Sequence, residues 1–363
     1  MNKKFVGLGL ASVAVLALAA CGNNSSSKSS EGSGKDSAVK FAMVTDTGGV
    51  DDKSFNQSAW EGISAWGEEK GLTEKTDYAY FQSDDESQYE TNLESAASSG
   101  FNLIAGIGYK LTEGITTAAG RHADLNYVLV DSRLPEGDNV LSALFADHEG
   151  AYLAGIVAAK TSDSKKVGFV GGMESDVITR FETGFVEGVK SVDPSIQVEV
   201  QYADSYSDAA KGKSIAATMY ASGIDVIYHA SGATGTGVFQ EAADINSQLP
   251  ADSEDKVWVI GVDRDQTDEG KYTSKDGKEA TSTLTSTIKQ VGHVLQGIAN
   301  DQLEGKEFPG GQVLTYGLKD GGVDLVMDGL SEDVLKAVEE AKAKIIDGSL
   351  TVDSGVESDK TAK

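Results

Sequence analysis

Hydrophobic and polar positions along the chain form two alternating patterns. Short apolar runs, rich in β-branched residues, are separated by amphipathic stretches of helical length. The apolar runs are 39–44, 78–81, 103–107, 127–130, 167–170, 198–202, 226–228 and 257–262. The amphipathic stretches include 55–69, 89–98, 150–159, 181–189, 209–221, 237–245, 288–299 and 331–346. This alternation predicts βαβ units with parallel strands, and therefore an α/β fold.

The order of the predicted strands indicates how the chain is divided. A second apolar run, 141–148, follows the strand that ends at Val130, with a loop but no helix between them. Two neighbouring strands without a crossover helix suggest that the chain leaves one domain for another. Similar transitions follow Val262 and occur near 303–313.

Three such crossings are typical of a bilobal binding protein with a hinge, whereas two independent doubly wound domains in tandem would need one. We therefore expect two doubly wound parallel-sheet lobes joined by a three-stranded hinge. The expected bounds are 39–140 with 264–308 for lobe 1, and 141–263 with 309–350 for lobe 2.

Length, charge and cysteine content narrow the possible functions. The chain has 363 residues, which exceeds the ~250–300 residues that one hydrophobic core serves. Its formal net charge is -26 at pH 7, so we expect no nucleic-acid partner. The single cysteine cannot form a disulfide within the chain, and the four histidines lack metal-ligand spacing. We predict no metal site and no cofactor, and we expect a monomer.

The first residues have the pattern of a bacterial lipoprotein signal. Lys3 and Lys4 provide a positive start, and 5–17 is an apolar run shorter than the ~20 residues of a membrane span. Leu18-Ala19-Ala20-Cys21 then resembles a lipobox. We expect 1–20 to be a signal peptide and Cys21 to carry diacylglycerol and further acylation such as palmitate. Two or more acyl chains give a stable anchor on the extracytoplasmic face of the cell membrane.

Two polar segments flank the predicted lobes. Residues 21–38 are rich in Ser, Gly, Asn and Lys and have no apolar periodicity, which predicts a flexible tether. Residues 351–363 are also polar and aperiodic, so we predict a disordered tail.

Polar residues follow four of the predicted strands. Asp46, Asp131 and Asp263 each come after an apolar run, and Gly232 follows a fourth. In open parallel sheets, ligands bind beyond the carboxyl ends of the strands. Three aspartates gathered there would accept strong hydrogen bonds from vicinal sugar hydroxyls. Alternatively, each aspartate on its own is a turn former or helix cap.

Two phenylalanines lie near the expected cleft. Phe55 opens the first helix after Ser54, which has the position of an N-cap, and Asn56 comes next. Phe181 has the equivalent place in the second half of the chain. If both rings face the cleft, they can clamp one planar ring, and Asn56 can bond to its edge. The alternative is that both rings belong to the core.

Enzyme motifs are weak. Gly212-Lys213-Ser214 lacks the preceding glycine of a P-loop, and the glycines of 232–237 do not have dinucleotide-binding spacing. Ser231 is not in a nucleophile elbow. The segment 46–52 looks a little like the calcium-binding start of nucleoside hydrolases, but its first two aspartates are out of register. We predict no catalytic residues and no enzyme.

Several motifs together resemble one known family, that of the basic membrane lipoproteins. The motifs are VTDTGGVDDKSFNQ at 44–57, VDS at 130–132, FADHEGAYLAG at 145–155, GVD at 261–263 and TIK at 287–289. Members of this family are substrate-binding lipoproteins of ABC importers, and the branch that this chain resembles binds purine nucleosides. The resemblance extends from Val39 to about Ile346, and it implies a bilobal fold of the type I periplasmic-binding-protein class.

The resemblance also implies roles for individual residues. Phe55 and Phe181 would sandwich the base, and Asp46 and Asn56 would bond to its edge. Four groups would hold the ribose: Asp131, Asp263, the backbone of Gly232 and Lys289. Without the resemblance, Lys289 would be interpreted as a solvated helix residue. Beside those carboxylates, however, its charge would partly offset their repulsion.

The sequence therefore predicts a lipid-anchored receptor that captures nucleosides between two lobes and delivers them to the permease subunits of an ABC importer. Purine nucleosides are the expected ligands. A receptor for another sugar-like ligand, a nucleoside hydrolase, and a surface adhesin or sensor are the alternatives.

Overall fold

The computed structural model of the protein describes residues 38–134 and 137–360. The strands are β1 Phe41–Val44, β2 Tyr78–Phe81, β3 Leu103–Gly106, β4 Asn126–Val130, β5 Val140–Phe145, β6 Lys166–Gly171, β7 Gln197–Tyr202, β8 Val226–Ala230, β9 Trp258–Gly261, β10 Lys271–Thr273, β11 Glu279–Thr281, β12 Thr283–Lys289, β13 Val313–Tyr316 and β14 Val323–Leu325. The α-helices are α1 Phe55–Glu69, α2 Tyr89–Ser98, α3 Thr112–Arg121, α4 Asp147–Thr161, α5 Asp176–Val192, α6 Ala209–Ala221, α7 Gly235–Asn246, α8 Val291–Leu303, α9 Glu332–Ile346 and α10 Glu357–Lys360.

The strands form two six-stranded sheets and a small hairpin of β10 with β11. The first sheet has the order β13-β5-β4-β3-β1-β2, and all its pairs are parallel. The second has the order β14-β12-β9-β8-β6-β7, in which only β14 is antiparallel to its neighbour. This confirms the predicted α/β fold of two parallel-sheet lobes. We call them the first and second lobe after their sheets.

Sheet membership differs from the expected lobe bounds at three strands. β5 and β13 belong to the first sheet, although 141 onward and 309 onward were expected in lobe 2. β12 belongs to the second sheet, although 264–308 was expected in lobe 1. For β5 and β12 the physical reason is burial on both faces, because such an apolar pattern does not encode which sheet a strand joins. β13 is a short, partly exposed edge strand, so its pattern indicates little about its sheet. The sheets still require the chain to pass between the lobes three times.

The core lies on both faces of each sheet. Every residue of β1 and of β8 is buried. In the first lobe, Trp66 of α1 packs edge-on against Phe41, with ring centroids 6.1 Å apart. Helices α1 and α8 approach so closely that a Cβ on Gly62 would lie 2.3 Å from the Cα of Gly292. Helices therefore cover the sheet, as a parallel sheet requires.

Helices α4 and α5 of the second lobe also pack at short separation. A Cβ on Gly184 would lie 2.2 Å from the carbonyl oxygen of His148, and one on Gly188 would lie 2.1 Å from that of Tyr152. Only glycine fits at these two positions. This packing fixes the first turn of α4, which begins at Asp147, beside α5.

The C-terminal segment is ordered as far as Lys360, so the predicted disordered tail at 351–363 is wrong over 351–360. Val352 and Val356 are buried. The carboxylate of Asp359 pairs with Arg180 of α5, at 2.7 Å from Nε, and with Arg133, at 3.0 Å from Nη2. Two apolar side chains and one ion-paired carboxylate order a segment whose composition is otherwise that of a tail.

The predicted signal peptide, Cys21 and nearly all of the tether lie outside the described residues. Within 38–134 and 137–360, no helix is both long and apolar enough to cross a membrane.

Candidate functional site

All eight residues that the sequence predicts as ligand-binding line one cavity between the two lobes. They are Asp46, Phe55, Asn56, Asp131, Phe181, Gly232, Asp263 and Lys289. Residues of both lobes line this cavity, and its walls are mainly apolar with a few polar groups, as is typical of small-molecule sites. The structure thus brings the predicted residues together, while their individual roles remain predictions.

Strand ends position two of the aspartates. Asp131 directly follows β4 of the first lobe, and Asp263 comes two residues after β9 of the second. Both have left-handed backbone, with φ of 65° and 69°. Non-glycine residues adopt this conformation at a cost, and Asp tolerates it better than most. Each strand end therefore turns sharply enough to place its carboxylate in the cavity.

The two phenylalanines come from opposite lobes. Phe55 is the first residue of α1 in the first lobe. Phe181 lies one turn inside α5, because that helix begins at Asp176 rather than at Phe181. The ammonium nitrogen of Lys289 is 5.2 Å from the ring centroid of Phe55 and 5.7 Å from that of Phe181. An aromatic ring from each lobe thus borders the same space beside the lysine.

Asp46 and Asn56 form a hydrogen-bonded pair at one end of the cavity. Nδ2 of Asn56 donates to Oδ1 of Asp46 at 2.7 Å, and Oδ1 of Asn56 accepts from the backbone N–H of Asp46 at 3.2 Å. The same Asp46 oxygen accepts from the Gly48 N–H at 2.9 Å. Burial raises the pKa of Asp46 to about 6, although these hydrogen bonds oppose the shift. The carboxyl group can therefore accept or, when protonated, donate a hydrogen bond near neutral pH.

The start of α1 is capped differently from the expectation. Ser54 was expected as the N-cap, but its side chain makes no cap bond. Asp52 instead accepts from the backbone N–H groups of Ser54, Asn56 and Gln57 at 2.9, 2.8 and 3.1 Å. The hydroxyl of Ser54 is left to donate to Asp263 across the cleft. Sequence reasoning missed Asp52 because it lies two residues before the expected cap.

Lys289 lies at the other end of the cavity and is buried, not solvated. It is the last residue of β12 rather than part of a helix. Its Nζ is 2.7 Å from Oδ2 of Asp131 and 3.2 Å from Oδ1 of Asp147. Burial alone would lower the pKa of Lys289, but the surrounding carboxylates, including Asp263, raise it. The lysine therefore stays charged and joins the two lobes.

Asp147 is a residue that sequence reasoning missed. It is 1% exposed and opens α4 just after β5. Burial raises its pKa to about 7 against the opposing effect of Lys289, and burial likewise raises the pKa of Asp263 to about 6. The strand-end rule that identified Asp131 also applies to the end of β5, so this carboxylate had a usable sequence signal.

Two tyrosines complete the cavity wall: Tyr109, to which the strand-end rule also applies because it follows β3, and Tyr206, which had no signal in the sequence. Tyr109 lies in the first lobe, directly after Gly108, and Tyr206 lies in the loop between β7 and α6 of the second lobe. Their hydroxyl oxygens are 3.4 Å apart. The loop position of Tyr206 depends on tertiary packing, which local pattern does not reveal.

The lobes contact each other around the cavity. Besides the bond from Ser54 to Asp263, the Gln266 amide donates to the carbonyl of Lys53 at 2.7 Å, and Arg264 pairs with Glu61 at 3.1 Å. Among the described residues, no group of His, Cys, Asp and Glu side chains is arranged to hold a metal ion. The lobes are closed over a cavity with aromatic faces and polar ends.

A closed cleft of this kind between two parallel-sheet lobes defines a bilobal solute-binding protein. Comparison with known proteins agrees. Residues 39–354 match the family model described as ABC transporter substrate-binding protein PnrA-like. The chain belongs to this family, which confirms the resemblance seen in the sequence. Because the family consists of substrate-binding proteins, the chain is not classed as an enzyme.

Individual relatives cover almost the whole chain. It is 53% identical over 347 residues to the "ABC transporter nucleoside-binding protein BmpA" of Lactococcus lactis subsp. cremoris, covering 96% of this chain and 97% of that protein. It is 47% identical over 359 residues to a "CD4+ T-cell-stimulating antigen" of Listeria innocua, covering 97% and 99%. Among solved structures, an ABC transporter solute-binding protein from Aeropyrum pernix K1 aligns with a TM-score of 0.74 and 26% identity, covering 86% of this chain and 92% of that one.

Proposed function

We propose that this protein is the nucleoside receptor of an ABC importer and that purine nucleosides are its main ligands. The observation that carries the proposal is the pairing of Phe55 and Phe181, one from each lobe, beside a carboxylate cluster at one end of the same cavity. A flat base fits between aromatic faces, and a ribose fits among hydrogen-bond acceptors. The name of the L. lactis relative, a nucleoside-binding protein, supports the same ligand class.

The ligand would bridge the lobes and stabilise their closure. We assign the ribose hydroxyls to Asp131 of the first lobe and to Asp263, Lys289 and the Gly232 backbone of the second. A nucleoside bound to both lobes has contacts that an open cleft cannot provide. Binding therefore shifts the hinge equilibrium towards the closed form by the free energy of those contacts.

We assign the edge of the base to Asp46 and Asn56. Asn56 donates its two amide hydrogens to Asp46 and Asp52, at 2.7 and 2.9 Å, and these bonds hold the Asp46 carboxyl in place. A buried carboxyl whose pKa is about 6 has both protonation states accessible. Purine edges present both donors and acceptors, so the Asp46 carboxyl can match either, and the remaining lone pair of Asn56 Oδ1 can accept from a base N–H.

The test is calorimetric titration of the purified protein with guanosine, adenosine, uridine and free ribose, with chromatography of the mixture afterwards. We expect the purine nucleosides to bind most tightly and to be recovered intact. Tight binding of ribose or another sugar, without nucleoside binding, would favour the sugar receptor. Release of free base would favour the nucleoside hydrolase and overturn the receptor.

We also infer that Cys21 anchors the protein by a diacylglycerol group at the extracytoplasmic face of the cell membrane, where the importer's permease subunits would receive the ligand. The support is the lipobox-like Leu18 to Cys21 sequence after an apolar run. Cys21→Ser should abolish incorporation of labelled palmitate and release the protein from membranes, while nucleoside affinity stays unchanged. Retention of both label and membrane binding would contradict the anchor.

A further inference from the structure

The cavity has a side that the proposed ligand contacts leave unassigned. Tyr109 of the first lobe and Tyr206 of the second border it, with hydroxyl oxygens 3.4 Å apart. Tyr109 comes three residues after β3, and Tyr206 comes four residues after β7. The two side chains meet across the gap between the lobes.

Tyr206 is held in place by its own lobe. Its ring lies against Gly172, where a Cβ would come within 2.2 Å of the ring carbon Cε1. Its carbonyl oxygen accepts from the backbone N–H of Thr234 at 3.2 Å, and it lies 3.1 Å from where a Cβ on Gly232 would be. The ring is therefore fixed to the same loop that supplies Gly232 to the cavity.

Tyr109 is held just as firmly on the first lobe. The preceding Gly108 has φ of 110°, a conformation that favours glycine. The carbonyl of Tyr109 accepts from the hydroxyl of Thr112 at 2.5 Å. The next residue, Lys110, pairs with Glu86 at 2.6 Å and places its Nζ 5.9 Å from the ring centroid of Tyr206. The backbone of Tyr109 is thus fixed in the first lobe and the ring of Tyr206 in the second, so the two hydroxyls meet across the gap between the lobes.

The pair lies at the Asp46 end of the cavity. A Cβ on Gly108, the neighbour of Tyr109, would be 3.5 Å from Oδ2 of Asp46. The charge of Asp46 contributes to the raised pKa of Tyr206, which burial mainly causes, and this reflects their proximity. Both observations place the tyrosines near Asp46, the group that we assign to the edge of the base.

We propose that Tyr109 and Tyr206 form an inter-lobe lid over the edge of the bound base and act as specificity-determining residues. The inference rests on the proposed nucleoside function. With an unsubstituted purine bound, the hydroxyls of Tyr109 and Tyr206 can meet over the edge of the base. A bulky substituent on that edge would keep the two tyrosines apart, and the lobes could then not close. The protein would then reject base-substituted nucleosides by steric exclusion rather than by lost hydrogen bonds.

The test measures affinity for three ligands by calorimetry: adenosine, N6-benzyladenosine and 5′-O-benzyladenosine. The benzyl group lies on the base in one analogue and on the ribose in the other. The proteins are the wild type, Tyr109→Ala, Tyr206→Ala and Tyr206→Phe. Tyr202→Ala is the matched control, because Tyr202 bonds to Glu182 at 2.5 Å and does not line the cavity. Thermal melting verifies that every variant is folded.

We expect the wild type to prefer adenosine to N6-benzyladenosine by about 100-fold, and both alanine variants to reduce that preference by about 10-fold or more. Tyr206→Phe keeps the ring and should keep most of the preference, as should Tyr202→Ala. The 5′-O-benzyl analogue should be rejected by every protein. The lid proposal would be overturned if both alanine variants kept the wild-type preference for adenosine over N6-benzyladenosine. It would also be overturned if those variants gained affinity only for the 5′-O-benzyl analogue.

The two proposals fail in different ways. If the wild type binds none of the nucleosides, the proposed function fails and the lid fails with it. If the wild type binds adenosine but also binds N6-benzyladenosine equally well, only the lid fails.

Discussion

Ser54 of the first lobe donates a hydrogen bond to the carboxylate of Asp263 in the second lobe. Both side chains are buried, and Asp263 is one of the residues that we assign to the ribose. The bond joins the start of α1 to the end of β9, so it exists only when the lobes are together. It couples closure of the cleft to the placement of a ligand-binding carboxylate.

Ser54→Ala should weaken nucleoside binding about 10- to 100-fold, because a hydrogen bond to a charged group is worth roughly 1.5–3 kcal/mol. We expect the change mainly in the dissociation rate, since the bond holds the closed state. Stopped-flow ligand release measures it. Ser58→Ala is the control, because the Ser58 hydroxyl bonds to the Phe55 carbonyl in the same helix at 3.1 Å. Equal release rates for the two variants would refute the coupling.

Phe55→Ala and Phe181→Ala should each reduce purine nucleoside affinity by about 10- to 100-fold, because stacking on one aromatic face is worth ~1–3 kcal/mol per base. Asp131→Ala should cost as much or more, because it also leaves Lys289 with one partner fewer. Equilibrium titration of the folded variants measures these losses. Tyr80→Ala is a suitable control, since Tyr80 is an exposed aromatic outside the cavity. Unchanged affinity in both Phe55→Ala and Asp131→Ala would exclude the assigned cleft.

Asp147→Asn should change how stability depends on pH. The pKa of Asp147 is raised from 3.8 to about 7 in the folded protein, so the protonated form is favoured by folding. This contribution to the free energy of unfolding is fully present below pH 3.8 and is lost as pH rises through about 7. The asparagine variant lacks it. Its stability relative to the wild type should therefore increase across that window and level off above it.

Urea unfolding of ligand-free protein over a series of pH values measures the Asp147 effect. Asp193→Asn is a control whose effect on stability should depend on pH in the opposite direction. Whereas the pKa of Asp147 is raised, hydrogen bonds from Ser195 lower the pKa of Asp193 to about 2. Its contribution is present above pH 3.8 and is lost only as pH falls towards 2. Parallel curves for wild type and Asp147→Asn between pH 4 and 7 would contradict the assignment.

Asp359→Asn should lower the stability of the protein by about 1–3 kcal/mol, because two arginines lose a charged acceptor. Burial alone would raise the pKa of Asp359, but Arg180 and Arg133 lower it to about 2. The loss should therefore be seen above pH 3.8 and vanish as pH approaches 2. Calorimetric melting measures it. Glu357→Gln is the matched control on the same short helix, since Glu357 pairs with exposed Lys360.

Local pattern predicted the first nine strands and seven of the residues that line the cavity, and the family resemblance added Lys289. Asp131 and Asp263 followed from one rule about strand ends, and Asp147 obeys the same rule although it was not recognised. The sheet that β5 or β12 joins could not be predicted, because a strand buried on both faces looks the same in either lobe. β13 is a short, partly exposed edge strand, so its pattern carried little information on which sheet it joins.

The sequence could not predict residues whose position depends on contacts with distant parts of the chain. Tyr206 reaches the cavity because Gly172 makes room for its ring, and those two residues lie far apart along the chain. Lys289 looked like a helix residue because the end of β12 and the start of α8 are adjacent in sequence. Its burial depends on carboxylates from both lobes, which only the folded chain brings together.

The ion-paired Asp359 connects the short helix α10 to both lobes. It contacts Arg133, which follows a strand of the first lobe, and Arg180, which belongs to a helix of the second. A dye attached at the neighbouring Lys360 would lie close to the contact between the first and second lobes. Such a dye should respond to a change in the separation of the lobes, because Asp359 is paired with an arginine from each lobe.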